Sequence, residues 1–252
     1  MNQNASEFAN VSGIATVSLP FTVKIVRTED HLSKAIAVRS RSYGKHHPAV
    51  AEQLKEPEPA DRSDAALVLL AESKQDECAL GTLRIETNLP RPSLVESLLP
   101  DSAKCKRCTI AYVTRLAVRG GQQSSLVKLA LFKALHRYCL AAQIDWMVVT
   151  ALPPLDRQYV QLGFVDVFSP DTLVPVPWSQ NLAMRVLTLN VVTCESDWRT
   201  GNHTLYKFMF EDYTPDIEIF SSVSGIWSRP RNRPVDPPDP DRLTGVFGIP
   251  II

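Results

Sequence analysis

The sequence predicts an α/β protein with one main domain, and three observations on its 252 residues carry the prediction. Apolar patterns with strand and helix periods alternate in the order strand, helix, strands, helix, strand, helix, strands. A β-branched run at 110–118 passes through Arg119-Gly120-Gly121 into a long amphipathic stretch and then a second apolar run, the layout of a strand-helix-strand unit. The two ends lack such patterns: residues 1–20 show no sustained period, and 228–252 mix Pro with Arg and Asp. The folded domain is therefore placed at 21–227, between disordered tails at 1–20 and 228–252.

Residues 21–26 alternate as a short strand. Glu29-Asp30 then opens a helix to about Tyr43, with Leu32, Ile36 and Arg39 on one side. The polar stretch 45–63 carries Pro48, Pro57 and Pro59 and reads as a loop with at most one helical turn, either a mobile lid or a plain connection. Runs 66–72 and 79–87 pair as a hairpin across Ser73-Lys74-Gln75-Asp76. A short helix at 93–99 and a loop with two cysteines precede the strand 110–118. The helix 122–142 sets Val127, Ala130, Leu131, Ala134 and Tyr138 on one face and polar residues on the other. A buried strand, 145–150, is stopped by Pro153-Pro154. A short helix, 156–162, is closed by Gly163, where positive φ is available. Strands at 164–168 and 183–192 and helical segments between Cys194 and Phe210 complete the domain.

Composition excludes several classes of function. With 27 basic and 27 acidic residues the formal net charge is +0, so a generic polyanion binder is excluded and no nucleic-acid partner is expected. No apolar run approaches the ~18–20 residues of a membrane-spanning helix, so no integral membrane insertion is expected. Residues 1–23 hold no Lys or Arg, the charged start of a secretory signal is missing, and a cytoplasmic location is expected. Five cysteines, an odd number, fit a reducing compartment. Cys105-Lys106-Arg107-Cys108 stands alone, without a second pair or an H-x-x-H, and reads as a loop thiol pair; no metal site is assigned. The five histidines read as solvated or internally satisfied.

The unit from Tyr112 to Phe168, with its Gly-containing turn and its Tyr159-x-x-Leu162-Gly163-Phe164, resembles the central half of the Gcn5-related N-acyltransferase fold. The resemblance implies an acyl-CoA N-acyltransferase-like α/β domain, a mixed central sheet with helices on both faces. It also implies that one strand splays from the next, that the gap admits the pantetheine arm of a thioester donor, and that the helix start receives donor phosphate, as helix N-termini do. Acetyl-CoA-dependent members begin that helix with Gln/Arg-x-x-Gly-x-Gly/Ala. Here the run is Arg119-Gly120-Gly121-Gln122-Gln123-Ser124-Ser125, and Gln122 and Ser124 replace the two small residues that make room for a diphosphate. A carrier-protein donor, with one phosphate there, fits better.

Arg39-Ser-Arg41-Ser-Tyr43, Gly81-Thr-Leu-Arg84 and Tyr112-Val-Thr-Arg115-Leu-Ala-Val118 resemble the corresponding elements of acyl-homoserine lactone synthases. They look still more like those of the related long-chain N-acyl amino acid synthases, over about residues 22–192. The implied activity is transfer of a fatty acyl group from acyl carrier protein to the α-amine of an amino acid, tyrosine being the substrate best associated with that family. No cofactor of its own is implied, since 4'-phosphopantetheine arrives on the carrier protein. Lactone synthases place Glu three residues before the Arg of the central strand, where this chain has Tyr112, which sets it apart from enzymes of a cationic sulfonium substrate. The alternatives are a CoA-dependent acetyltransferase, a lactone synthase, and a non-catalytic module that binds acyl chains or carrier protein.

Within that frame each candidate residue has a role. Arg84 and Arg115 are cations for the acceptor's carboxylate, or else ion pairs closing the sheet onto the first helix; Tyr112 joins them as acceptor-binding. Glu86, two residues from Arg84 and on the same strand face, is placed to accept the amine's proton directly or through water. The backbone of Leu116, Ala117 and Val118 is assigned to the thioester carbonyl, and Gln123, Ser124 and Ser125 to the donor phosphate. Tyr159 is either the acid that protonates the departing thiolate or packing under Leu162-Gly163-Phe164. Arg119, Lys128, Lys133 and Arg137 supply positive charge for an acidic carrier protein.

Overall fold

The structure is a computed structural model that describes residues 15–44, 51–52, 54–179 and 181–220. Of the tails assigned to 1–20 and 228–252, residues 1–14 and 228–252 lie outside the described residues, as do 45–50 and 53 of the loop placed at 45–63. Nine strands are present among those described: β1 Phe21–Ile25, β2 Ala66–Ser73, β3 Ala79–Thr87, β4 Ile110–Val118, β5 Trp146–Ala151, β6 Val165–Asp166, β7 Val174–Val176, β8 Leu182–Asn190 and β9 Ile217–Glu218. They run in the order β6-β8-β5-β4-β3-β2-β1-β9, with β7 against β8. Pairs β4-β5 and β1-β9 are parallel and the others antiparallel, which makes the sheet mixed.

Helix α1, Glu29–Tyr43, starts where the sequence places it. The Thr28 side chain accepts a hydrogen bond from the His31 N–H, and Glu29 and Asp30 sit against the positive end of the helix dipole. Its buried Ala35 packs with Val68 and Leu70, and its Val38 and Tyr43 pack with Ala117, so α1 covers one face of β2 to β4. Next to it on that face, Val95, Leu99 and Cys105 cover Ile110, Tyr112, Val148 and Val186. The opposite face carries α2, Ser124–Ala141, with α3, Asp156–Gln161, and α4, Cys194–Thr200, on a core that joins Leu83, Ile85, Val113 and Val149 to Leu131, Tyr159 and Trp198. Gly81 lets α2 come close: a Cβ there would stand 2.7 Å from Val127 Cγ1. Gly163, at φ +84°, closes α3 as the sequence predicts, and a Cβ would meet Trp198 Nε1 at 2.8 Å.

Three expectations are corrected. The second face of α2 is not a polar surface: Phe132, Lys133, Leu135, His136 and Cys139 are buried, because the segment through Trp198 and Met209 packs there. Residues 15–20 are not free tail. Val17 N–H bonds to Tyr213 O at 2.8 Å, the Leu19 N–H to the Asp216 carboxylate at 2.7 Å, and Leu19 is buried. The single strand read at 164–168 is only Val165–Asp166, and β7 is an additional short strand that 164–192 did not advertise.

Candidate active site

Strand β4 leaves regular pairing on both sides. Toward β5 only Ile110 to Val113 pair, with Trp146 to Val149. Beyond that point Thr150 and Ala151 stay with β8 while β4 stays with β3, and the two parallel strands part. Toward β3, Thr82 lies opposite Ala117 and Arg84 opposite Thr114, so Arg115 and Leu116 together face Leu83. This is a β-bulge, with Arg115 in the left-handed region at φ 53°. Strand alternation would send Thr114 and Arg115 to opposite faces; the bulge brings both to the α1 face.

There a charged cluster forms inside the protein. Arg84 Nε donates to Glu86 Oε1 at 2.9 Å and to Thr114 Oγ1 at 3.1 Å, while its Nη1 donates to Glu58 at 2.9 Å and Asp61 at 3.2 Å. Arg115 grips Glu58 with both prongs, Nε at 2.5 Å and Nη2 at 2.6 Å. Arg39, from α1, donates through Nη1 to Asp61 at 2.7 Å. All three arginines are buried, and three carboxylates balance them. Balance matters because a buried charge without a partner costs several kcal/mol. Burial alone would raise the Glu58 carboxyl, but the Arg115 hydrogen bonds and the charges of Arg115, Arg84 and Arg39 outweigh it and hold the pKa down to about 2. Asp61 is likewise lowered, its burial offset by Arg39 and Arg84.

Not every donor is satisfied. The Nε and Nη2 of Arg39 and the hydroxyl of Tyr43, one helical turn along α1, are buried without a hydrogen-bond partner among the described residues. At the apex of the gap the Tyr112 hydroxyl lies 2.8 Å from Thr150 Oγ1 and accepts from Trp178 Nε1 at 3.2 Å, which ties β4, β5 and the turn after β7 together. Tyr159, on α3 just beyond β5, packs its ring edge-on to Phe164 at 5.5 Å and Phe132 at 5.8 Å. Its hydroxyl has no partner among the described residues, and burial pushes its pKa well above that of an ordinary tyrosine.

The structure thus gathers Arg84, Glu86, Tyr112 and Arg115 on one face beside the gap. Leu116 and Ala117 are buried at the bulge and Val118 is half-buried, leading to Arg119, which is exposed. Gln123 and Ser125 are exposed and Ser124 half-buried at the start of α2, where Gly121 takes φ +144°. The positive residues of α2 separate. Lys128 is half-buried and bonds to Gln158 Oε1, and Arg137 is half-buried. Lys133 is a correction: it lies inside, donating to the carbonyls of Phe208 at 2.5 Å and Asp212 at 2.6 Å, and burial lowers its pKa to about 8. It presents no charge to a partner. A cleft of about 320 Å³ opens instead between α1 and the start of β3, lined by Lys34, Arg41, Ser42, Cys78, Ala79 and Arg119. All five cysteines are free thiols, Cys105 buried and Cys108 half-buried.

Glu58 and Asp61 are the site residues that sequence reasoning missed. Their signal is Glu58-Pro59-Ala60-Asp61, two acids three residues apart around a proline. It folds as a short 3-10 turn in which the Asp61 side chain accepts from the Glu58 N–H at 2.9 Å.

Comparison with known proteins agrees with this geometry. The profile of a family described as N-acyl amino acid synthase FeeM matches residues 34–184. The solved structure of FeeM, an N-acyl amino acid synthase from uncultured soil microbes, superposes with a TM-score of 0.55 at 17% identity, covering 75% of this chain and 97% of that one. The CoA-dependent acyl-homoserine lactone synthase BjaI, solved with SAM and isopentyl-CoA, superposes at 0.52 and 17% identity, over 73% of this chain and 90% of that one. The fold is the Gcn5-related N-acyltransferase fold that the sequence resembles. A comparison with curated protein sequences finds no match.

Proposed function

The chain belongs to the family of the N-acyl amino acid synthase FeeM and is an acyltransferase, and from that premise we propose that it moves a long-chain fatty acyl group from acyl carrier protein to the α-amine of an amino acid, tyrosine in the first instance. The observation that supports this best is the parting of β4 from β5 next to the bulge at Arg115. A slot between parallel strands takes an extended thioester arm along its edges, and a bulge turns backbone N–H groups out of the ladder toward a carbonyl.

In this reading the thioester carbonyl meets the backbone at Leu116 to Val118. The neutral amine attacks the carbonyl carbon, the C–N bond forms and the C–S bond breaks, with orientation doing most of the work. Glu86 takes the proton that the ammonium must lose; Arg84 and Thr114 both donate to its Oε1 and fix its orientation. Tyr159, whose buried hydroxyl has no partner among the described residues, supplies the proton for the departing thiolate. Tyr112, steadied by Thr150 and Trp178, lines the acceptor side. The 4'-phosphopantetheine phosphate lies at Gln123 to Ser125, and the acidic carrier protein docks toward Arg119 and the cleft it shares with Arg41. Among the described residues no helix is long and apolar enough to cross a membrane. Five free thiols fit a cytoplasmic location.

One finding favours a second donor, acyl-CoA: BjaI, which shares the fold, is CoA-dependent. The experiment offers the purified protein the same acyl chain on acyl carrier protein and on CoA, with a panel of amino acids, and reads products by mass spectrometry. N-acyl amino acid formed from the carrier thioester supports the proposal. Equal or better use of acyl-CoA overturns the donor, and no product with any amino acid overturns the function.

A further inference from the structure

The charged cluster has three arginines: Arg84 engages all three of its nitrogens and Arg115 a whole edge, while Arg39 engages one nitrogen. Arg84 meets Glu58, Asp61 and Glu86 through Nε, Nη1 and Nη2, and Arg115 spends its Nε–Nη2 edge on Glu58. Arg39 spends only Nη1, on Asp61. Its remaining Nε–Nη2 edge is the side on which a guanidinium offers two parallel N–H bonds, the spacing that a carboxylate matches. That edge is buried and unpartnered among the described residues, and so is the hydroxyl of Tyr43, four residues on and therefore on the same side of α1.

We propose that the free edge of Arg39 and the Tyr43 hydroxyl together seat the α-carboxylate of the acceptor amino acid, which leaves Arg84 and Arg115 to hold the site's own acids; this rests on the reading of the chain as an amino acid N-acyltransferase. Three donor groups on one side of α1, Nε and Nη2 of Arg39 and the Tyr43 hydroxyl, match the two oxygens of a carboxylate. Burial raises the Tyr43 hydroxyl to about 12, so it remains a donor at neutral pH. Charge argues for a zwitterion as well. Arg39, Arg84 and Arg115 already balance Glu58, Asp61 and Glu86, and an amino acid with both its charges adds none, whereas a phosphate or a dicarboxylate would leave the buried site net negative. With the carboxylate at Arg39 the ammonium end falls toward the acids of the same cluster, of which Glu86 has the most exposed side chain, 22% against 10% for Glu58 and 0% for Asp61.

The test compares an amino acid with its primary amide, which keeps the amine and side chain and loses only the carboxylate, using acyl-carrier thioester as donor. The wild-type protein should prefer the acid by about ten- to a hundredfold in kcat/KM, mainly through the acceptor's KM. Tyr43→Phe removes a hydroxyl that has no partner among the described residues, so its Tm should not fall. Its KM for the acid should rise about tenfold, with the donor's KM and the amide's KM unchanged. Arg39→Lys keeps the charge beside Asp61 and loses the edge, and should bring the acid and the amide close to equal. If Arg39→Lys does not fold, Tyr43→Phe still decides. Wild-type protein that uses acid and amide equally, or a folded Tyr43→Phe that keeps the wild-type ratio, overturns the assignment while leaving the acyltransferase reading intact. Absence of any N-acyl amino acid from the wild type overturns both.

Discussion

Removing the Glu58 charge should cost the protein about 3 kcal/mol at neutral pH, and the loss should fade in acid. Glu58→Gln keeps the shape and takes away the anion that Arg115 holds with two bonds and Arg84 with a third. Burial raises the carboxyl of Glu58, but the arginines win and set it at about 2 in the fold against an ordinary 4.5. At about 1.36 kcal/mol per pH unit, the difference of roughly 2.5 is worth about 3 kcal/mol. The independent figure for orphaning one member of a buried pair, roughly 3–5 kcal/mol, points the same way, and the side chain is only 10% exposed, so little is lost to solvent screening. The folded-state pKa is depressed, so this stability is complete above about 4.5 and is lost as pH falls from there toward about 2. Urea unfolding of both proteins from pH 7 to pH 3 is the assay. The gap between them should be near 3 kcal/mol at pH 7 and should narrow steadily below pH 4.5. A gap under about 1 kcal/mol at pH 7, or one that does not change with pH, would mean that Glu58 is not the charge that holds Arg115.

Gly81→Ala should lose about 1–3 kcal/mol in urea unfolding, because its Cβ would stand 2.7 Å from Val127 Cγ1 and 3.3 Å from the Ala117 carbonyl, which is backbone; an unchanged midpoint would mean that α2 has room to move away. Arg119→Glu should raise the KM for the acyl carrier protein and reduce its salt dependence, whereas Lys133→Met, at a residue buried against Phe208, should leave that KM alone. Tyr159→Phe removes a hydroxyl with no partner among the described residues and should not lower Tm, while kcat should fall by about 10²- to 10⁴-fold with both KM values nearly constant; full activity with chemistry limiting would leave Tyr159 as packing against Phe132 and Phe164.

What could be read in the sequence follows from which signals are local. Helix α1 has its start written in Thr28, Glu29 and Asp30, β4 in its β-branched run, and the end of α3 in Gly163, and all three stand within a residue or two of their expected bounds. Helix α2 shows the limit. The periodicity of Val127, Ala130, Leu131 and Ala134 reports one buried face, but Lys133 and His136 on the other are covered by residues 55 to 79 positions later. Lys133 reads as a surface charge until Phe208 and Asp212 fold over it. Residues 15–20 illustrate the same thing in reverse: they carry no pattern of their own and are ordered by Tyr213 and Asp216.

The site divides along the same line. Arg39, Arg84, Tyr112 and Arg115 lie on a periodic helix and two strands, so their positions, and the faces of most of them, could be read. The exception is Arg115, which alternation assigns to the face opposite Thr114 and which reaches the cluster only because β4 takes an extra residue against Leu83. The acids could not be read, since Glu58 and Asp61 sit in a proline-containing polar loop where nothing distinguishes an inward carboxylate from a solvated one. Charge counting recovers them after the fact. Three buried guanidinium groups around one strand require about three anions within reach, and Glu86 is the one that the strand pattern supplies, so two must come from a connecting segment. The same count shows why Arg39 is the position to test. Net charge is satisfied by three acids, but hydrogen bonds are not: Arg84 and Arg115 take most of what Glu58, Asp61 and Glu86 can accept, and the excess of donors over acceptors falls on the Nε–Nη2 edge of Arg39. A protein that kept those donors buried only for structure would gain by replacing Arg39 with a residue that has fewer of them, so an anion that comes and goes is the economical reason for the excess.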